Sequence, residues 1–253
     1  MGKVSLIDLI MNTIKRTCNE LQQIESSTGK QITCIEVQHI ESSSITLKYH
    51  TLPNTNPNQY NHFIAVWEND IYVPPLPSNK FIMEQPIISE SIVGAITLNG
   101  LDTKNKPYVI GYCVGHEITN VCATVYVPMG EEDILKHESS EISLKIPADI
   151  PTDALAVNYS VPPGINPQEY KHWIGLWESD CIPYLFNPEP LRCHKIDSKH
   201  RESSINISGT AFLVDTNYTL AYFTGLNNVS IACVLHFKTG ATEELKLKQL
   251  EVL

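Results

Sequence analysis

Residues 166–178 read NPQEYKHWIGLWE, and residues 56–68 read NPNQYNHFIAVWE. The two stretches align without a gap at a separation of 110 residues. The match continues upstream at the same separation, where Tyr49 aligns with Tyr159. The chain is therefore a tandem duplication, and whatever fold one copy adopts, the other is expected to repeat.

The composition limits the number of domains and the classes of partner. The chain has 253 residues, which fits two compact domains of about 100 residues each with short ends. Its net charge is -10. We therefore expect neither nucleic acid nor an anionic membrane surface as a partner, because both require clustered Lys and Arg.

The cysteines and the first residues favour a cytoplasmic protein. Seven cysteines is an odd number, which disfavours a disulfide framework. The first residues contain neither the apolar core nor the cleavage site of a secretory signal, and no apolar run is long enough to span a bilayer. We expect a cytoplasmic location and no membrane insertion.

The first segment, residues 1–29, has a helical pattern. Apolar side chains recur every three to four residues between polar ones, among them Ile7, Met11 and Ile14. This spacing places them in one stripe along an amphipathic α-helix of residues 4–25. The stripe must be buried, either against the chain's own domain or against a partner.

After this segment the pattern changes to short runs rich in Ile, Val, Thr and Tyr, separated by Pro, Asn, Gly and Ser, which is typical of a β-sandwich. The strands predicted for the two copies are 32–39, 44–51, 61–68, 90–98, 107–114 and 120–127, then 141–147, 154–161, 171–178, 203–212, 217–224 and 229–237. The predicted fold class is mainly β, with two tandem immunoglobulin-like β-sandwiches preceded by an N-terminal amphipathic α-helix. The predicted divisions are the helix at 1–29, the first sandwich at 30–128, a linker at 129–140, the second sandwich at 141–238 and a tail at 239–253.

The repeated stretch is apolar on both faces of the strand that it predicts. Trp173 and Trp177 lie on one face and Tyr170, Ile174 and Leu176 on the other, because successive side chains of a strand alternate. A sheet with one wet face would alternate apolar and polar residues. We therefore expect the second face to contact another strand layer, the N-terminal helix, the sister repeat or another subunit. Its counterparts in the first copy are Tyr60, Ile64 and Val66.

Three segments resemble the SKICH-type immunoglobulin-like sandwich of autophagy receptors and inositol phosphatases. The segments are LAVNY at 155–159, HWIGLW at 172–177 and YTLAYF at 218–223, which follow the order of that family's strands. The first copy departs from the family pattern, with Phe63 for the Trp and Ala65 for the Gly. The resemblance implies an immunoglobulin-like fold and a binding role, and it identifies no partner.

The titratable side chains match no recognised catalytic or metal-site motif. His172 and Glu178 share a strand face, as does the equivalent pair of the first copy, yet six residues along a strand separate them by about 20 Å. A Cys-x11-Cys-His-x5-His series from Cys181 to His200 has zinc-capable atoms without a zinc-site spacing. We therefore expect no enzyme activity, no cofactor and no metal.

The sequence favours a non-catalytic protein-interaction or structural protein that self-assembles or acts as a subunit of a larger assembly. The alternative is a carbohydrate- or small-ligand-binding protein, lectin-like or toxin-like, that uses the Pro-rich aromatic loops after the central strands. The candidate interaction surface comprises Tyr60, Ile64, Val66, Tyr170, Ile174, Leu176, Tyr72, Tyr184, Phe186, Ile7, Met11 and Ile14.

Overall fold

The computed structural model of the chain describes residues 30–74, 81–130, 138–146, 154–180, 189–213 and 215–239. The predicted N-terminal helix and most of the predicted tail lie outside these residues. So do five residues of the candidate surface: Ile7, Met11, Ile14, Tyr184 and Phe186. The described residues are mainly β, with sixteen strands and one short 3-10 helix, Ile118–Asn120.

The strands follow the two copies of the sequence. The first eight are β1 (Lys30–Ile32), β2 (Cys34–Glu41), β3 (Ser44–His50), β4 (Phe63–Glu68), β5 (Met83–Pro86), β6 (Val93–Asn99), β7 (Tyr108–Cys113) and β8 (Val121–Val127). The next eight are β9 (Ser139–Glu141), β10 (Ser143–Lys145), β11 (Ala154–Ser160), β12 (Trp173–Trp177), β13 (Arg192–Lys195), β14 (Glu202–Ser208), β15 (Asn217–Phe223) and β16 (Ile231–Lys238). Each predicted strand overlaps one of these strands.

Each repeat is a sandwich of a three-stranded sheet and a larger one. In the first repeat the sheet β2-β3-β6 packs against β5-β4-β7-β8, to which β9 is added. In the second repeat the sheet β10-β11-β14 packs against β13-β12-β15-β16, to which β1 is added. The strand pairs are antiparallel. Both repeats therefore have the immunoglobulin-like arrangement of two packed antiparallel sheets.

Tyrosines join the two sheets inside each sandwich. Tyr49 of β3 contacts Tyr112 of β7 with ring centroids 5.9 Å apart, and Tyr159 of β11 contacts Tyr222 of β15 at 6.0 Å. Tyr222 lies directly opposite Ile174 on the neighbouring strand, so the two side chains share a face. That face of the central strand therefore points into the sandwich.

The structure shows which of the expected contacts the second face makes. Ile64, Val66, Ile174 and Leu176 have no exposed surface and belong to the main hydrophobic core, where they meet the facing sheet. The other face of β12 carries the tryptophans and points out of the sandwich. Because both faces are apolar, the sequence pattern could not distinguish the inner face from the outer one.

The outer faces are covered by turns of the opposite repeat. Leu52 of the first repeat packs with Trp177 and Phe223 on the outer face of the second. In return, Gly164 of the second repeat approaches the first so closely that a Cβ atom there would lie 2.4 Å from Cγ1 of Val73. Gly164 also has a φ of 80°, which glycine adopts without steric cost. Both apolar faces of the central strand are thus buried within one chain, except at Trp173, which is half-buried.

The first strands of the two repeats are exchanged. β1 precedes the first repeat in the chain but pairs with β16 of the second, where Lys30 lies opposite Leu235. β9 precedes the second repeat but pairs with β8 of the first, where Ser139 lies opposite Val125. Residues 139–141 therefore form a strand that begins inside the predicted linker. The predicted division of the chain into domains stays a prediction.

The contacts that follow the exchange are reciprocal. The Thr33 amide donates a hydrogen bond to the Ala232 carbonyl at 3.1 Å, and the Ile142 amide donates one to the Cys122 carbonyl at 2.8 Å. The two acceptors are 110 residues apart and so occupy equivalent positions. Each repeat therefore uses the same backbone groups to hold the other, as subunits do across a twofold axis.

One side-chain contact joins equivalent positions directly. Nδ2 of Asn120 donates a hydrogen bond to Oγ of Ser230 at 3.3 Å, and the two residues are 110 positions apart. Both are buried. A contact between equivalent positions marks the pseudo-twofold axis that relates the two repeats.

Candidate interaction surfaces

A buried histidine fixes the start of each central strand. Nδ1 of His62 shares a hydrogen bond with the Tyr112 hydroxyl at 2.9 Å, and Nδ1 of His172 shares one with the Tyr222 hydroxyl at the same distance. The imidazole and phenol rings meet edge to face in both pairs. The duplicated histidine is therefore a core residue that ties the central strand to the neighbouring strand.

Burial keeps these histidines neutral. It lowers the pKa of His62 to about 3, and it lowers the pKa of His172 to about 3 against the opposing effect of the Thr119 backbone. Glu68, by contrast, lies at the surface and accepts a hydrogen bond from Lys106 at 2.7 Å. The arrangement separates the histidine from the glutamate, so it offers no shared acid–base site.

The remaining described candidates lie at the rims of the central strands. Tyr60 and Tyr170 are half-buried and pack beside the buried histidines, with ring centroids 6.4 and 6.2 Å from them. Tyr72 lies against the outer face of its own sheet, where its hydroxyl accepts a hydrogen bond from Thr124 and its ring contacts Tyr126 at 6.1 Å. Burial raises the pKa of Tyr72. Carbohydrate binding by the loops after the central strands stays a prediction.

Sequence reasoning missed the edge strands β5 and β13, which lie beside the central strands in equivalent places. Glu84 of β5 lies opposite Ala65, and Cys193 of β13 lies opposite Gly175. These edge residues therefore share the outer face of the central strands. The two strands have only four residues each and contain polar residues such as Glu84 and His194, so their sequence is typical of a loop.

The two edges have opposite chemical character. At two-residue intervals along the first edge stand Ile82, Glu84, Pro86 and Ile88. The equivalent residues of the second edge are Leu191, Cys193, Lys195 and Asp197. The first edge is thus mainly apolar and the second mainly polar. The edge strands align at a separation of 109 residues, one less than the separation of 110 that holds for the central strands. An alignment at that separation would have revealed this difference.

The second edge forms one wall of a cleft of about 510 Å³. The cleft is bounded by Trp173, Pro190, Ile196, Leu226, Lys171 and Lys195, among others. The Trp173 ring stacks on Phe223 with centroids 3.8 Å apart and 6° between the planes. Its indole N–H donates to the Gly225 carbonyl at 2.9 Å. Contacts within the chain therefore hold the Trp173 ring in place at the cleft.

The part of the chain that the structure describes contains no clustered metal ligands. None of the His, Cys, Asp and Glu side chains of the described residues form a group of three or more that could hold a metal ion. Cys193 and His194, part of the Cys/His series, are neighbours on β13, and Cys181 lies outside the described residues. In this part of the chain we also find no helix with the length and hydropathy needed to cross a membrane.

Comparison with known proteins gives weak structural matches. Neither a protein-family model nor a curated protein matches the chain. The FN1–FN3 domains of chicken CNTN1 match with 8% identity over 84% of this chain and 66% of that one, at a TM-score of 0.25. The BSP domain of a biofilm-associated protein matches with 12% identity over 82% and 30%, at 0.26. A DUF3823 family protein from Bacteroides ovatus matches with 11% identity over 84% and 100%, at 0.30.

These matches carry no argument about what the chain does, because their TM-scores are low. The chain also spans just under two thirds of the first structure and less than a third of the second. The strand order of the two sandwiches is the observation that assigns both repeats to the immunoglobulin-like β-sandwich class.

Proposed function

We propose that this chain is a non-catalytic protein-interaction or structural protein that binds through the apolar edge of its first repeat. The observation that carries the proposal is the exposure of the two isoleucines that flank β5. Ile82, just before the strand, is 51% exposed, and Ile88, two residues after it, is 82% exposed. Two exposed large aliphatic side chains along the same sheet edge favour a protein contact there.

The geometry of the edge favours side-chain contacts over strand addition. Within the described part of the chain β5 ends its sheet, so its outer backbone groups face away from β4. The strand has only four residues and ends at Pro86, which has no amide hydrogen to donate. Burial of Ile88 against an apolar surface would contribute up to about 1.5–3 kcal/mol, and burial of Ile82, which is half-exposed, about half as much.

A second copy of the chain is the first partner to test. Two identical edges that meet across a twofold axis form a closed dimer, because each patch contacts its own equivalent. The resemblance of the second repeat to SKICH-type sandwiches agrees with a binding role. A cytoplasmic location stays a prediction.

The experiment is multi-angle light scattering of the purified chain at micromolar and higher concentrations. The wild type should self-associate, and Ile82→Lys/Ile88→Lys should shift it to the monomer without loss of folding. Met129→Lys/Leu213→Lys is the matched control, because it adds the same charge at two exposed apolar side chains outside β5 and its flanking residues. A wild type that stays monomeric would exclude self-assembly. A photo-crosslinker at position 88 would then have to capture a different protein for the edge to keep its role.

A further inference from the structure

The cleft on the second repeat has an apolar wall that is already in place. Trp173 is half-buried, fixed by its stack on Phe223 and by its hydrogen bond to the Gly225 carbonyl. Leu226 borders the same cleft and is 69% exposed. A flat apolar body could cover both side chains, and the volume of about 510 Å³ lies within the range of small-molecule sites.

The cleft also carries a local positive charge. Lys171 and Lys195 both border it, and the ammonium group of neither forms an ion pair or hydrogen bond with another side chain in the described ranges. Lys195 lies directly opposite Trp173 in the pairing of β12 with β13, so the two side chains share the outer face of the sheet. Asp197 is the one carboxylate among the described lining residues. Two cations against one anion are notable in a chain of net charge -10.

From this arrangement we infer that the cleft binds a small organic anion with a flat apolar body, of the class of aromatic carboxylates. The apolar body packs on Trp173 and Leu226 while the carboxylate faces Lys171 and Lys195. This site goes beyond the proposed function, because it concerns the other repeat and a different class of ligand. The two ideas can therefore fail independently.

The first repeat provides an internal comparison. The residues equivalent to Trp173, Lys195 and Lys171 are Phe63, Pro86 and Asn61. Both cations and the indole are thus absent at the matching place in the first repeat. The cleft is not a general consequence of the sandwich fold, since the same strands in the first copy carry different side chains.

The test is isothermal titration calorimetry of the full chain with 2-naphthoate and with its neutral counterpart, 2-naphthalenemethanol. We expect one naphthoate per chain and markedly weaker binding of the alcohol. Lys171→Glu/Lys195→Glu should weaken naphthoate binding by about tenfold or more, because it reverses the charge that faces the carboxylate. Lys104→Glu/Lys145→Glu makes the same change of net charge at exposed lysines outside the cleft and should leave binding unchanged.

Protection of a cysteine from alkylation would locate the ligand in the wild-type chain. Cys193 borders the cleft and is exposed, so iodoacetamide should alkylate it, and bound naphthoate should slow that reaction. Peptide mapping by mass spectrometry would follow Cys193 and, as the reference outside the cleft, Cys34. The inference is overturned if naphthoate does not bind, if the alcohol binds equally well, or if Cys193 reacts at the same rate with naphthoate present.

Discussion

At the scale of single residues, the histidine of each central strand combines burial with a neutral ring. His62 and His172 are enclosed in the core, each sharing a hydrogen bond with a tyrosine hydroxyl. A third histidine, His236, lies on the outer face of the second repeat, where burial lowers its pKa to about 4 against the opposing effect of Asp180. Because charging any of these rings would move a cation away from water, the fold disfavours the protonated forms near neutral pH.

We predict that the chain loses stability as the pH falls below about 6.5. Unfolded histidine takes up a proton near that pH, whereas His62 and His172 in the folded chain do so only near their pKa of about 3. The unfolded state therefore binds more protons throughout this interval. The free energy of unfolding is fully retained above pH 6.5 and falls by about 1.4 kcal/mol per pH unit for each buried histidine toward pH 3.

Urea denaturation at pH 7.5, 6.0 and 5.0 would measure this slope. His172→Gln should lower stability at pH 7.5 through lost packing. It should also reduce by one the number of protons that the chain takes up on unfolding at acidic pH. His200→Gln, at an exposed histidine, should leave the dependence unchanged. If the free energy of unfolding had the same dependence on pH in the wild type and in His172→Gln, the dependence would not arise from His172.

At the scale of elements, the exchange of β1 and β9 is the least expected feature of the fold. The sequence places each of these strands just before its own repeat, where it could extend its own sheet. The structure pairs each with the last strand of the other repeat. As a result, β1 pairs with a strand near the other end of the chain, whereas β9 pairs with β8, the strand that immediately precedes it.

Engineered cysteines would distinguish the two pairings. Lys30→Cys/Leu235→Cys joins residues that lie directly opposite each other and should form a disulfide within one chain. That disulfide should add about 2–4 kcal/mol to the free energy of unfolding, because it closes a long loop. Lys30→Cys/Val125→Cys is the matched control, because Val125 occupies the equivalent position in the first repeat. Cross-linking of the control pair in preference to the first would show that β1 pairs within its own repeat.

The strands of the sandwiches could be predicted because their sequences are strongly patterned. Long runs such as residues 108–113 and 217–223 are rich in β-branched and aromatic residues, and they are found as β7 and β15. β5 and β13 could not be predicted in the same way. Their polar residues and Pro86 suit an edge exposed to water, and the same composition is common in loops.

The candidate surface could be predicted less well, because exposure depends on contacts between distant segments. Ile174 and Ile88 are the same residue type, yet the first is fully buried and the second is 82% exposed. The difference arises because Ile174 faces another sheet while Ile88 lies beyond the end of an edge strand. The residues next to each isoleucine in the sequence do not indicate whether another sheet or solvent lies against it. The partner of β1 is likewise decided by the packing of the two repeats.

At the scale of the whole molecule, the two repeats share one hydrophobic core. The main cluster of buried residues includes side chains from both sandwiches, and Leu52 extends a second cluster across the boundary. The exchanged strands add backbone hydrogen bonds in both directions. Neither repeat can therefore open without exposing apolar surface of the other.

We predict that the chain unfolds in a single cooperative transition and that a change at the pseudo-twofold axis weakens both repeats together. Asn120→Ala should cost about 1–3 kcal/mol, because it leaves buried Ser230 without its hydrogen-bond donor. Hydrogen exchange should then accelerate in β7 and β15 alike. Asn99→Ala, at an exposed position at the end of β6, is the control. Faster exchange confined to one repeat would show that the two open independently.

The pseudo-twofold axis also bears on how the two edges could come to differ. Two separate copies of a single repeat, held by the same reciprocal contacts, would carry every substitution twice, since one gene would encode both. Fusion into one chain removes that constraint. Isoleucines can then accumulate on one edge and lysines on the other without disturbing the shared contacts at Asn120 and Ser230. The covalent link thus permits a specialisation of halves that a symmetric dimer of identical subunits could not acquire.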